Sequence, residues 1–154
     1  MSPEQQAAFN IHGCVCRCLI KLSEMFGNPV SADEFCARFD KYFPFPNEYG
    51  RLDDIALITI FRQLNLTPNI GLHGSFEVVA DRFNNAGQRV MVSSLKNLNP
   101  GMNNFNGHCS VLTAINPVAQ TFSIWTPVQD GTNAPLNLTK ADWVDKECSG
   151  MILF

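Results

Sequence analysis

The chain has 154 residues, 45% of them apolar and 16% charged, the composition of a folded globular protein and not of a disordered one. A formal charge of −3 with no Lys/Arg block excludes a basic nucleic-acid-binding face, and no apolar run approaches the roughly 18 residues that span a bilayer. The length fits one domain over residues 1–154 with one core.

At the N-terminus, Met1-Ser-Pro-Glu-Gln-Gln6 has neither a basic segment nor an apolar stretch, so no secretory signal is expected. The chain reads as cytoplasmic, or as delivered into a target cell by a specialised secretion route. Up to Gly13 it is turn-like. From Cys14 to Phe26 the residues Val15, Cys18, Leu19, Leu22, Met25 and Phe26 recur at helical spacing, and Gly27 stops the helix. The run Cys14-Val-Cys-Arg-Cys18 lacks the paired C-x₂-C knuckles of a zinc site, so neither a metal nor a cofactor is expected. On a helix Cys14 and Cys18 share a face while Cys16 points away. Cys16, Cys36 and Cys148 are expected as small buried hydrophobes.

Ser31-Ala-Asp-Glu34 is a capping box that opens a second helix to about Phe39. Residues 42–51, with Pro44, Pro46 and Gly50, read as loop. A third helix spans 52–64, with Ile55, Ala56, Ile58, Phe61 and Leu64 inward. Residues 66–72 form a strand that Pro68 confines to a sheet edge. A fourth helix, 75–85, buries Phe76, Val79, Ala80 and Phe83. Strands then follow at 89–95, 108–115 and 121–125, the last two joined as a hairpin through 116–120. Thr139-Lys-Ala-Asp142 starts a short helix, and 151–154 adds a closing strand. Helices first and an antiparallel sheet afterwards make an α+β fold.

A thiol attacks as thiolate, and a helix N-terminus favours that charge, so Cys14 is the candidate nucleophile. Its base must be a histidine: His12, His73 or His108. His108 follows the Gly- and Asn-rich run 99–107 and opens an apolar strand, a position from which a ring can face a cleft. His12, two residues before Cys14, suits shaping the site, and equally suits a solvated turn. His73, in Leu-His-Gly-Ser, reads as a surface or packing residue.

Gly13-Cys14-Val-Cys-Arg-Cys-Leu19, closed by Gly27, resembles the nucleophile helix of papain-fold hydrolases of the bacteriocin-processing peptidase type. Arg89-Val-Met-Val-Ser-Ser94, Gly107-His108-Cys-Ser-Val-Leu112 and Phe122-Ser-Ile-Trp-Thr-Pro127 are similar to that family's successive strand, histidine strand and acid strand. Above all the chain resembles the papain-fold toxin and effector group, several of which are glutamine deamidases. Their Asp-Pro-Gln-x-Gly motif is similar to Thr126-Pro-Val-Gln-Asp-Gly131, which carries one residue more. The likeness runs from Cys14 to Gly131.

The resemblance implies a papain-like fold, nucleophile helix first, with the helices packed on a C-terminal antiparallel sheet. It also implies a hydrolase in which His108 takes the Cys14 proton and the thiolate attacks a glutamine carboxamide on a protein of a host or competitor cell. An immunity or host partner protein would accompany such a toxin. Two departures stand out. The Asp or Asn that orients the histidine falls on Thr126, whose hydroxyl accepts a hydrogen bond but carries no charge. Asp130 would have to turn back to serve instead, and Asp130-Gly131 also reads as an ordinary turn. The glutamine expected six residues before the cysteine is Ala8, which leaves the oxyanion to the Cys14 N–H and Asn10. The same residues would serve a cysteine peptidase or a peptidoglycan amidase. A papain-like domain that binds a partner without turnover is the third reading.

Overall fold

The computed structural model describes residues 1–43, 48–96, 98 and 107–153. Its order is α1 (Pro3–His12), α2 (Cys14–Met25), α3 (Ala32–Phe39), a 3-10 turn (Asp40–Tyr42), α4 (Asp54–Gln63), β1 (Pro68–Gly74) and α5 (Phe76–Asn84). Then come β2 (Arg89–Ser94), β3 (His108–Asn116), β4 (Thr121–Pro127), β5 (Asn133–Thr139), α6 (Lys140–Asp145) and β6 (Cys148–Leu153). The class is α+β, with helices leading and five strands after α5. Among the described residues no helix is long and apolar enough to cross a membrane. The expected loop residues 44–47 and 99–106, the strand end Phe154 and the side chain of His73 lie outside the described residues. The chain groups into two compact units: Met1–Thr67 with Pro127–Thr132, and Pro68–Thr126 with Asn133–Phe154.

In the first unit, α1 replaces the turn expected before Gly13. Ser2 caps it: its hydroxyl accepts from the Gln5 N–H at 3.1 Å, and Gln5 Oε1 accepts from the Ser2 N–H at 2.9 Å. Pro3 fits the first turn, where its missing N–H costs nothing. Only Phe9 of this helix is buried, so its apolar periodicity is weak. In α2, Cys18, Leu19 and Leu22 are fully buried, as the spacing predicts; so is Cys16, whose thiol donates to the Gly50 carbonyl at 3.0 Å. Cys36 is buried as expected, and Cys148 only partly. The Ser31–Glu34 capping box opens α3, whose Phe35 and Phe39 rings meet edge to face at 4.8 Å.

Asp53 caps α4 by accepting from the Ala56 N–H at 2.7 Å. That start sets the phase of the helix. Ala56, Ile60 and Phe61 turn inward, while Ile55, about 100° before Ala56, is 79% exposed and not inward as its apolar character suggests.

The second unit is built on a sheet of order β1-β6-β2-β3-β4-β5. The pairs β1/β6, β6/β2, β2/β3 and β3/β4 are antiparallel. Pro68 sits in edge strand β1, as expected. The other edge, β5, is a strand beyond the expectation; it contains Pro135 and its residues alternate between exposed and half-buried. Val90, Val92, Leu112, Ile115, Phe122, Ile124 and Ile152 form one apolar sheet face, on which α5 lays Phe76, Val79 and Ala80 and α6 lays Trp143. The Phe76, Phe122 and Trp143 rings pack edge to face with centroids 5.2–6.3 Å apart. Register shifts between Leu112 and Ala114, leaving Thr113 as an extra residue, so that Leu112 and Ile115 both face the core.

α6 is held by the Thr139–Asp142 capping box. Trp143→Ala is expected to destabilise the protein by about 3–5 kcal/mol, and Thr139→Ala by only about 1 kcal/mol. Urea unfolding followed by far-UV circular dichroism measures both; equal losses would mean that Trp143 contributes little beyond its helix.

Candidate active site

Cys14 is the first residue of α2, and the N-cap position is Gly13, which offers no side-chain hydrogen bond to the helix end. The first-turn N–H groups are therefore not taken by a capping side chain, which leaves their positive field for a nearby anion. Gly13 is required by crowding. A Cβ there would lie 2.4 Å from the Phe9 carbonyl oxygen and 3.0 Å from Phe9 Cδ2. Gly50 presses on the same place, its own Cβ position 2.6 Å from Phe9 Cδ2 and 3.2 Å from Gly13 Cα. The Cys16 thiol, bonded to the Gly50 carbonyl, fixes this junction beneath the helix start. Cys14 is half-buried, whereas Cys16 and Cys18 are fully buried.

One turn on, Arg17 is 8% exposed. Its guanidinium donates to the carbonyls of Val128 at 2.6 Å, of Gly131 at 3.0 Å and of Thr132. Burial lowers its pKa, while negative charge at Cys18, Asp130 and Cys14 acts the other way. An arginine keeps its proton regardless, so a fixed cation stands in the first turns of α2, where it favours a thiolate.

The segment that Arg17 grips is a turn in its own right. Val128 N–H donates to the Thr132 carbonyl at 2.9 Å and Gly131 N–H to the Val128 carbonyl at 3.0 Å. Asp130 is exposed and accepts from the Thr132 N–H at 2.9 Å and hydroxyl at 2.6 Å. The Thr132 hydroxyl, then its N–H, hold the Asp130 carboxyl below the usual range, with a smaller contribution from Arg17. Asn10 packs on Gly131, where a Cβ would fall 2.6 Å from its Nδ2, and its Oδ1 accepts from Gln6 Nε2 at 2.8 Å. His12 lies half-buried in the last turn of α1.

In the second unit His108 is the first residue of β3. Its Nε2 is 2.7 Å from Thr126 Oγ1, and the Ser110 hydroxyl donates to the same Thr126 oxygen at 3.0 Å. Ser110 and Thr126 are both fully buried. The sheet register explains this cluster. Ser94 is opposite both His108 and Cys148, Val92 is opposite Ser110, and the β3/β4 register continued from Leu112 and Ile124 brings Ser110 opposite Thr126. Along this one face the strands therefore change from apolar (Val90, Val92, Leu112, Ile124, Ile152) to polar (Ser94, His108, Ser110, Thr126, Cys148). Ser94 is 4% exposed, and its hydroxyl has no hydrogen-bond partner among the described residues. Burial pushes the Cys148 thiol up to about 12, with Asp142 adding to the shift and Lys146 opposing it.

Thr126 is thus the residue that engages His108 Nε2, and Asp130 is engaged by Thr132. Three residues of these clusters have no role in the sequence reading: Arg17, Ser110 and Ser94. Arg17 lies within the cysteine run itself, and Ser110 lies two residues after His108, on the same face of a strand. Among the described residues no group of three or more His, Cys, Asp or Glu side chains is gathered as a metal site requires. No protein-family model matches the chain, and no curated protein matches it.

The thiols should separate by reactivity. Burial pushes Cys36 up to about 11 and Cys148 to about 12, so both stay protonated and slow at neutral pH. Iodoacetamide at about pH 6–7, followed by peptide mass spectrometry, is expected to label Cys14 first, and Arg17→Met to slow that labelling several-fold. Equal rates for Cys14 and Cys148 would remove Cys14 as an activated thiol.

Proposed function

We propose that the protein is a cysteine-dependent amide hydrolase of papain-like arrangement that deamidates glutamine side chains of a protein substrate. The observation that carries this reading is the setting of Cys14: a half-exposed thiol opening a helix whose end no side chain caps, with the buried Arg17 cation one turn on. Both features favour the thiolate. The hydrogen bond between Thr126 and His108 Nε2 supports the histidine as base, since a ring held at one nitrogen presents the other in a fixed direction.

In this reading His108 takes the Cys14 proton and the thiolate adds to the carboxamide carbon. The imidazolium then protonates the departing nitrogen, which leaves as ammonia, and a thioester remains. Water, giving a proton to His108, attacks the thioester; the carboxylate product departs and the thiol is restored. The Cys14 N–H, at the helix start, is the backbone donor offered to the oxyanion, with the Asn10 amide as the candidate second donor. A toxin or effector acting on a host or competitor cell, paired with an immunity or host protein, is the biological setting that goes with this chemistry. Peptide-bond cleavage, in a peptidase or a peptidoglycan amidase, would run through the same steps with an amine as leaving group.

Thr126 supplies orientation without charge. In a serine triad, losing the carboxylate charge costs about 10⁴ in rate, largely through the wrong histidine tautomer. A slow enzyme is therefore expected. The uncharged Thr126 also favours the second reading, a domain that binds its partner without turnover. Incubation with glutamine-containing proteins, assayed for ammonia and for new N-termini, separates the readings. Ammonia without new N-termini, abolished by Cys14→Ala and His108→Ala and lowered roughly tenfold or more by Thr126→Val, is the expected result. New N-termini would make it a peptidase, and neither product from folded protein would leave the binding domain.

A further inference from the structure

We propose that the polar cavity between α2, α3 and α4 binds a small zwitterion, a free amino acid or a short peptide, whose carboxylate pairs with Arg38 and whose ammonium pairs with Glu34. It lies at the far end of α2 from Cys14. Ser23, its most buried residue, is nine positions further on, about 13.5 Å along the helix.

The cavity forms where two helices stop. α2 turns off at Gly27 and α4 at Asn65, both in the left-handed region with φ of 81° and 57°. The last turns of these helices, residues 28–30 and one side of α3 line a space of about 650 Å³, within the roughly 300–1,000 Å³ of small-molecule sites. A helix C-terminus is the negative end of the backbone dipole, and α2 has no basic residue in its last turn to offset it. Ser23 is 1% exposed, and its hydroxyl has no hydrogen-bond partner among the described residues. A buried hydroxyl left unpaired is costly, and this residue lines the cavity, where a ligand can pair with it.

Glu34 and Arg38 stand one turn apart on α3, and both line the cavity. A glutamate four residues before a basic residue is the favourable order for a helical ion pair. Here each charge is held by another partner instead. Glu34 Oε2 accepts from the Ser31 N–H at 2.9 Å, closing the helix cap. Arg38 Nη2 donates to the Gln63 carbonyl at 3.0 Å, and its guanidinium lies over the Phe39 ring, 5.1 Å from the centroid. The Ser31 N–H, then its hydroxyl, hold the Glu34 carboxyl below its usual value, so it is ionised at neutral pH. Arg38 is always charged.

One wall thus presents a fixed anion and a fixed cation that do not neutralise each other. A simple anion or cation satisfies half of that pattern, and a molecule carrying both charges satisfies all of it. The remaining guanidinium N–H groups can hold a carboxylate by two parallel bonds. An ammonium has three protons to give, and Glu34 Oε1, the Ser23 hydroxyl and the Gln63 amide oxygen can take them. Gln63 Nε2 donates to the Tyr42 hydroxyl at 3.3 Å, so its amide is already oriented.

The test is amide NMR of the ¹⁵N-labelled full chain, titrated with dialanine, N-acetyl-dialanine, dialanine amide and free alanine. Dialanine is expected to move the Gly27, Asn28 and Asn65 signals saturably with a millimolar Kd, and each blocked form to bind roughly tenfold more weakly. Glu34→Gln keeps the helix cap, since glutamine serves at that position, and should erase the difference between dialanine and its N-acetyl form. Arg38→Gln should erase the difference between dialanine and its amide. Ser23→Ala should stay folded and bind several-fold more weakly. Alanine binding as tightly as dialanine makes the ligand a free amino acid, and weaker alanine binding makes it a peptide. No shift at these amides with tens of millimolar dialanine, blocked forms that bind as well as the free one, or variants that keep both preferences overturn the proposal.

Discussion

The buried guanidinium of Arg17 is the interaction on which the candidate nucleophile depends. It satisfies three carbonyls of the segment Pro127–Thr132, which the chain makes on leaving β4 and before entering β5. The Val128 and Thr132 carbonyls also accept from N–H groups within the turn, and Arg17 adds a charge-assisted hydrogen bond to each of the three. One planar side chain with five donors reaches all three, which an ammonium on a flexible stem does less well. The charge that holds the turn is also the charge nearest the cysteine run, so one residue couples the shape of the segment to the electrostatics of Cys14. Gly13 and Gly50 complete the arrangement by letting two stretches of backbone approach within the width of a methyl group.

The second unit sets its histidine by a different means. A sheet face covered by α5 and α6 is apolar for most of its length, and its hydroxyls cluster at one end. Three buried hydroxyls in an otherwise apolar layer are costly unless bonded. Two of them, Ser110 and Thr126, are bonded to each other, and Thr126 also to His108. The third, Ser94, is not bonded among the described residues and sits directly opposite the ring. Polar groups of this kind add little to stability over an apolar side chain of the same size.

Much of this was legible in the residues. The spacing of Leu19 and Leu22 and the stop at Gly27 give α2, and Ser31 with Glu34 gives α3, because helix periodicity and capping are local physics. The alternation of Val90, Val92 and Ser94, and of His108, Ser110 and Leu112, gives strands for the same reason. The resemblance to papain-fold hydrolases puts the histidine's orienting residue at Thr126, with Asp130 as the alternative, and it is Thr126 that meets His108. Other features are silent in sequence. The α1 helix buries a single side chain, so its apolar signal is faint and only the Ser2–Gln5 pair announces it. Ile55 reads as core until Asp53 sets the phase of its helix. Edge strand β5 carries Pro135 and no buried side chain, so it lacks a strand's usual mark. Arg17 is hardest to read, because its partners are backbone carbonyls more than 100 residues away, and carbonyls have no letter in the sequence.

The extra residue at Thr113 gives β3 two parities. His108, Ser110 and Leu112 occupy even positions on the covered face, yet beyond the bulge that face is kept by Ile115, an odd one. The strand behaves as two half-rulers joined with a one-mark offset. Counting from the hairpin at residues 117–120 gives the wrong side for the histidine, and counting from the histidine gives the wrong side for the hairpin. The bulge is thus what puts His108 and Ile115 on one covered face although their positions differ in parity.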